Sequence, residues 1–344
     1  MKKVSLLLIF SMIVFSNTHA QEINKKQWTL FSKTTADWCP NCGTWGWNMN
    51  KQLIEKVGDK NSIIWGLHVS GDLTNQTAKD LAANLGVNYH PIFFEGQSNM
   101  NVSSGNIPQK LDEAESIVDL NAILDPFAGI GVTATIDDDN TLEVKAEVEF
   151  LSNVEMGNYY LGLYLVEDNV VHFQQSIGSN AVHRYILRRS LLSSTFGDNL
   201  TSGEVASGAK FNVETTIPNI GGNKTNLKVV AIIWNKSTEG KYRFFNGNQV
   251  NVAITSGTND QDVPFDIFAN FQQDNLSIHF KNEDIVPTID LTIIDIQGKD
   301  IFSTQISNEA SWEKSIYLPI PTGQYFLKFD AKKHGSTTLK LFKP

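Results

Sequence analysis

The chain has 344 residues and only two cysteines, and that scarcity excludes a good deal. A structural zinc site needs four ligands. With no second Cys-x-x-Cys and no His-x-His pair to join Cys39 and Cys42, metal binding is the weakest reading of the pair. Positive charge is also short, with 28 Lys and Arg against 37 Asp and Glu and a formal net charge of −9. Removing Lys2 and Lys3 with a leader makes the remainder two units more negative, which disfavours nucleic acid and anionic membrane as partners. After residue 20 no apolar run is long enough to cross a bilayer, so no transmembrane span is expected. A phosphate-binding glycine loop, a nucleophilic serine motif and a metal-binding helix are all missing, and no cofactor is expected.

What is present begins with a leader. Met1-Lys2-Lys3, an apolar run from Val4 to Phe15, and Thr18-His19-Ala20 before Gln21 have the order of a secretory signal peptide over residues 1–20. No cysteine follows the cut to carry a lipid. The mature chain is expected to be exported, and its length favours two or three domains.

The cysteines stand in Thr35-Ala36-Asp37-Trp38-Cys39-Pro40-Asn41-Cys42. Gln27–Phe31 reads as a strand before them. After them Trp45, Met49, Leu53 and Val57 recur at four-residue intervals, as on one helix face, until Gly58 stops the helix. A strand handing over to a helix N-terminus is where free N–H groups and the helix dipole favour a thiolate. Cys39, at the open end, is the candidate nucleophile, and Cys42, three residues on, the resolving thiol. A disulfide that only closes a small loop is the competing reading, since exported proteins keep such bonds. His68 and His90 are candidates for tuning the thiols.

From Gln21 to about Asp125 strands and helices alternate. Ser62–Val69 reads as a strand, Thr77–Leu85 as a helix closed by Gly86, Tyr89–Glu95 as a strand and Pro108–Val118 as a helix. Trp-Cys-x-x-Cys after a strand, with a proline opening a later strand some fifty positions on, resembles the thioredoxin fold. The resemblance implies a cis proline beside the cysteines, here Pro91, with His90 and Trp38 completing a substrate-binding surface. Three features depart from that family. Pro-Asn stands between the cysteines. Lys33 takes the place of a buried acid six residues before the first cysteine. Gly43 and Gly46 each weaken the following helix by ~1 kcal/mol relative to alanine.

From Phe127 the pattern changes to period two. Gly131–Ile136 and Leu142–Phe150 form an expected hairpin about Asp137-Asp138-Asp139-Asn140, whose acids read as a solvated turn because calcium-loop spacing is absent. Tyr160–Val166 and Leu227–Trp234 continue an all-β sandwich to about Thr255. His183-Arg184-Tyr185-Ile186-Leu187-Arg188-Arg189 is the one basic cluster; it suits carboxylate pairing first and an anionic ligand second. With Leu165–Val171 before it and Phe196-Gly197-Asp198 after it, this stretch resembles the outer membrane protein 28-related family of Bacteroidota, over roughly Thr29 to Thr255. His68 in Gly-Leu-His-Val, Asp72, and Tyr89-His90-Pro91 fit the same pattern.

Beyond a polar linker at 256–263, Leu276–Phe280, Ile289–Asp295, the turn Gln297-Gly298-Lys299 and Gly323–Phe329 describe a small antiparallel β domain. Its Asp-x-x-Gly-Lys turn, Gly-x-Tyr-Phe strand and lysine-bearing end resemble a type IX secretion sorting domain. That resemblance implies the type IX machinery as a partner and the outer-membrane surface or the extracellular space as destination.

The expected architecture is a leader (1–20), an α/β thioredoxin-like domain (21–126), an all-β sandwich (127–255), a linker (256–263) and a small β-sandwich sorting domain (264–344). The expected function is thiol–disulfide exchange on extracytoplasmic protein thiols or disulfides. Cys39 and Cys42 would be catalytic and form the disulfide, and Trp38, His90 and Pro91 would bind substrate. The alternative is a non-enzymatic surface binding protein with a structural disulfide, contacting its partner through His183 and Arg188.

Overall fold

The computed structural model describes residues 22–87, 89–254, 265–272, 274–331 and 336–343. The leader at 1–20 and the linker at 256–263 lie outside them. Among the described residues strands far outnumber helices, so most of the fold is sheet. Two compact units divide at Thr255, one of Met1–Thr255 and one of Ser256–Pro344.

The first unit begins with β1 (Thr29–Ala36), α1 (Pro40–Gly43), α2 (Trp45–Val57), β2 (Ser62–Ser70), α3 (Gln76–Asn84), β3 (Ile92–Glu95), β4 (Ser98–Asn99) and α4 (Ile107–Ala122). It continues through β5 (Ala128–Ile136), β6 (Leu142–Phe150), β7 (Val154–Glu167), β8 (Val170–Gln174), β9 (Gly178–His183) and β10 (Ile186–Ser190). It ends with β11 (Asp198–Val205), β12 (Lys210–Ile217), β13 (Leu227–Lys236), β14 (Tyr242–Asn251) and β15 (Ala253–Ile254). The alternation of helix and strand expected before residue 126 and the strands expected after it are present. The turn of the expected hairpin is fixed by Asp137, whose Oδ1 accepts the Thr141 N–H at 2.7 Å.

The expected boundary at 126/127 falls inside this unit, because one sheet runs through it in the order β14-β13-β7-β10-β2-β1-β3-β4, with β11 also on β7. The seam is narrow. Ile186 of β10 pairs in parallel with Gly66 of β2, and the Gly66 N–H donates to the Tyr185 carbonyl at 2.9 Å.

Alternation along β7 and β13 explains why the seam holds. On one face Leu161, Leu163, Leu165, Val229, Ala231 and Ile233 meet the four-stranded sheet β12-β6-β5-β15, forming the sandwich core. On the other face Tyr164, Val166, Val230, Ile232 and Trp234 meet Trp28, Leu30, Trp65 and the apolar side of α3. Strands buried on both faces read as continuous apolar runs, as Val229–Trp234 does. A third cluster, with Phe31, Met49, Leu53, Val57, Phe93, Leu111 and Val118, seats α2 and α4 on the far side of β1–β3.

The second unit contains β16 (Phe265–Gln272), β17 (Asn275–Asp295), β18 (Asp300–Tyr317), β19 (Gly323–Asp330) and β20 (Ser336–Lys343). They pair as one five-stranded sheet, β16-β17-β19-β20 with β18 also on β17. The two strands expected at 276–280 and 289–295 are parts of β17. Its register against β18 shifts between Lys281 and Val286. Leu276, Ile278 and Phe280 before the shift share one core with Ile289, Leu291 and Ile293 after it. The Asp-x-x-Gly-Lys turn works as its residues suggest: Asp295 Oδ1 accepts the Gln297 and Lys299 N–H groups, and Gly298 supplies a φ of 81°.

Between the two faces of β7 lies a testable hydrogen-bond pair. The buried Tyr164 hydroxyl accepts from Trp234 Nε1 at 2.7 Å and donates to the Thr195 carbonyl at 2.8 Å. Tyr164→Phe strands both partners and is expected to cost ~1–3 kcal/mol. The urea midpoint should fall without a change in m-value; an unchanged midpoint would contradict the role given to this pair.

Candidate functional site

The site begins where β1 ends. Asp37 turns the chain: its Oδ1 accepts the Trp38 N–H and its Oδ2 the Asp72 N–H, each at 2.7 Å. The approach is so close that a Cβ on Gly71 would lie 1.8 Å from Asp37 Oδ1, and Gly71 also has a φ of 87°. Only glycine fits there. Asp37, Asp72 and His172 offer ligand atoms within 4.8 Å of one another, but the carboxylate of Asp37 is already committed to backbone N–H groups.

Cys39 is the N-cap of α1 and is joined to Cys42 by a disulfide. Cys39 Sγ accepts the Cys42 N–H at 3.1 Å and lies 3.8 Å from the His90 carbonyl. The His90–Pro91 peptide is cis. The open position expected for Cys39 is not observed, because it is 4% exposed and Cys42 is fully buried, the two packing with Ala36. Exposure passes instead to the neighbours: Trp38 is 53% exposed and Tyr89 60%. The Trp38 ring meets His90 edge-on at 5.1 Å, and its Nε1 donates to Ser70 Oγ. Burial pushes the His90 imidazole below its ordinary pKa. The structure thus brings Trp38, Cys39, Cys42, His90 and Pro91 together.

His68 sits elsewhere. It is buried beside His183, with ring centroids 5.2 Å apart, and burial holds its pKa well below the ordinary value. Arg184 and Arg188 are engaged by Asp168 and Glu167 at 2.5 and 2.8 Å. The basic cluster therefore pairs mainly with carboxylates, as its composition suggests.

Sequence reasoning missed Gln174. This fully buried residue ends β8, in the hairpin inserted between β7 and β10. Its Nε2 reaches the carbonyls of Ala36, Asp37 and Cys39 at 3.2, 3.0 and 3.2 Å. The next residue's N–H donates to Asp37 O at 2.7 Å. Nothing in the local pattern marks a glutamine 135 positions away as the clasp of the Cys loop. The same hairpin explains Gly43, because a Cβ there would stand 1.8 Å from the Gln175 carbonyl oxygen. Gly46 is explained by Pro91, whose Cγ would be 2.8 Å from a Cβ. The two glycines that weaken the helix are what let it seat against its neighbours.

Residues 126–256 match the family model of outer membrane protein Omp28, and residues 266–343 match the secretion system C-terminal sorting domain. The Cys-bearing region lies before the first match. No curated protein matches the chain. Among solved structures, HBP35 of Porphyromonas gingivalis is similar over 94% of this chain and 100% of its own, with 15% identity and a TM-score of 0.55. That likeness is one of fold. A domain of the outer membrane lipoprotein Omp28 from Porphyromonas gingivalis is similar over 38% of this chain and 92% of its own, with 14% identity and a TM-score of 0.28. The chain carries an Omp28-family domain and a C-terminal sorting domain, and is exported to the outer membrane or cell surface.

Two substitutions test the clasp. Gln174→Ala should cost ~0.5–1.5 kcal/mol by removing the buried donor that the three carbonyls share, each of which keeps one backbone donor, and should speed reduction of the disulfide by dithiothreitol several-fold. Helix propensity alone makes Gly43→Ala stabilising by about 1 kcal/mol. The approach of Gln175 reverses the sign, so a lowered melting temperature is expected and a raised one would refute the packing.

Proposed function

We propose that the protein catalyses thiol–disulfide exchange on other exported proteins, using Cys39 and Cys42 in a thioredoxin-like α/β region that precedes the Omp28-family domain. The observation that carries this reading is the facing of Cys39 Sγ and the His90 carbonyl 3.8 Å away, next to the cis bond to Pro91, with the Cys42 N–H on the sulfur. A donor already aimed at Cys39 stabilises a thiolate there.

In the oxidising direction a substrate thiolate attacks Cys39 Sγ. A bond forms between substrate sulfur and Cys39, the Cys39–Cys42 bond breaks, and Cys42 leaves as a thiolate that takes up a proton. A second substrate thiolate then attacks the substrate sulfur of the mixed disulfide and releases Cys39. The substrate dithiol loses two electrons and two protons, and the Cys pair gains them. Run backwards, the same steps reduce a substrate disulfide. The His90 backbone offers its carbonyl to a substrate chain, and exposed Trp38 and Tyr89 give that chain apolar surface. The sorting domain would hand the protein to the type IX machinery, placing the pair among extracytoplasmic substrates.

A second reading has its own support. The burial of both sulfurs suits a structural disulfide in a surface binding protein.

Trapping separates the two. Cys42→Ser leaves Cys39 without its resolving partner, so mixed disulfides with exported proteins should accumulate and disappear on reduction. Cys39→Ser should trap nothing. If Cys42→Ser forms no adducts with thiol-bearing exported proteins, the exchange reading fails and the structural disulfide stands.

A further inference from the structure

A second constellation lies in the first unit, apart from the disulfide. A cavity of about 240 Å³ is bordered by Lys33 and Thr35 of β1, Trp47 and Asn50 of α2, His68 of β2 and His183 of β9. Eight buried side-chain polar atoms lack a hydrogen-bond partner among the described residues, and four of them belong to this lining: Thr35 Oγ1, Asn50 Oδ1, His68 Nδ1 and His183 Nε2. Buried polar groups in folded proteins are paired in roughly nine cases out of ten. Four orphans around one hollow indicate a partner that belongs there.

The charges indicate what kind. Lys33 is 5% exposed, and its Nζ stands over the Trp47 ring, 5.7 Å from the ring centroid. Among the described residues no acidic side chain lines the cavity. Of the other cations on its border, Arg184 is held by Asp168 and Lys51 lies 3.8 Å from Glu55. An ammonium, a hydroxyl and two imidazoles are all able to donate inward, and Asn50 joins them if its amide is turned, an orientation set by the partner it meets. A divalent metal is a poor fit beside Lys33, with two histidines and no carboxylate as ligands. The Trp47 ring, set edge-on to His183 at 5.2 Å, provides an apolar wall for the body of a ligand.

We propose that this cavity binds a small oxyanion, a carboxylate- or phosphate-bearing molecule, with Lys33 as its counter-ion and Thr35, His68 and His183 as hydrogen-bond donors. The anion supplies the negative charge that the lining lacks. Burial pushes Lys33 down to about 7. Burial first, and then the positive charge of neighbouring bases including Lys33 and His172, brings His183 down to about 4, against hydrogen bonds to the backbone of Phe173 and His172 that raise it. The same two causes, in the same order, hold His68 well below its usual range. The groups facing Lys33, namely His68, His183, Lys51 and Arg184, are all bases, so none of them reverses that shift.

The test uses the mature full-length protein with succinate and inorganic phosphate as separate probes, followed by calorimetry and thermal melting. One-site saturable binding at millimolar concentration or below, with a rise in melting temperature, is expected for at least one probe. Succinate alone binding would mark a carboxylate site, and phosphate alone a phosphate site. At pH 8 Lys33 is largely neutral in the empty cavity and becomes protonated beside the anion. Succinate titrations in buffers of different ionisation heat should therefore show proton uptake approaching one per site. Lys33→Met should melt higher than wild type without ligand, since it removes an unpaired buried cation, and should bind at least tenfold more weakly without proton uptake. His183→Gln should weaken binding while keeping the uptake. Absence of saturable binding for both probes, or equal affinity in Lys33→Met, would overturn the proposal.

Discussion

The first unit depends on two strands that are apolar on both faces. β7 and β13 give alternate residues to the sandwich core and to the α/β core, so neither core is complete without them. Each fully buried Leu, Ile or Val contributes roughly 1.5–3 kcal/mol from its removal from water. Together these side chains outweigh the single residue pair by which β10 joins β2. The thin seam between the halves is thus set by packing on either side of it, and hydrogen bonding across it follows.

That arrangement decides what can reach the cysteines. Because β7 and β10 are fixed in the common sheet, the β8–β9 hairpin between them is carried over the Cys loop, where Gln174 and Gln175 bind the backbone of residues 36–39. The same hairpin brings His183 beside His68. A disulfide encoded in the first forty-two residues is therefore enclosed by residues from the Omp28-family domain, and one segment serves both the sulfur site and the basic cavity. This coupling distinguishes the molecule from a free α/β module with a separate binding domain behind it.

Much of this was legible in the sequence. Met49, Leu53 and Val57 announce the face of α2, the acidic turn at 137–140 announces the hairpin, and the 297–299 turn announces a β-domain beyond the linker. The Cys39–Cys42 spacing after a strand foretold that the two sulfurs meet, and the resemblance to the thioredoxin fold, not the spacing, is what put Pro91 beside them. What stayed hidden is long-range. The family match begins at the expected division of 126/127, but that one sheet runs across it comes from strand order, which period-two patterning does not specify. Gln174 looks like any polar residue near a turn. Lys33 looked like a departure from a familiar pattern, and its isolation from acids emerges only when α2, β2 and β9 surround it. Gly43 and Gly46 read as weak helix positions because the partners that need their small size, Gln175 and Pro91, come from other elements.

We propose that the enclosed disulfide is kept for exchange, and its equilibrium with a thiol buffer tests this most directly. The reduction potential of Cys39–Cys42 should be measured in protein lacking residues 1–20, equilibrated against glutathione and dithiothreitol couples. A value above about −270 mV is predicted, within the range of exchange catalysts. A value below about −300 mV would contradict the account and mark the bond as structural.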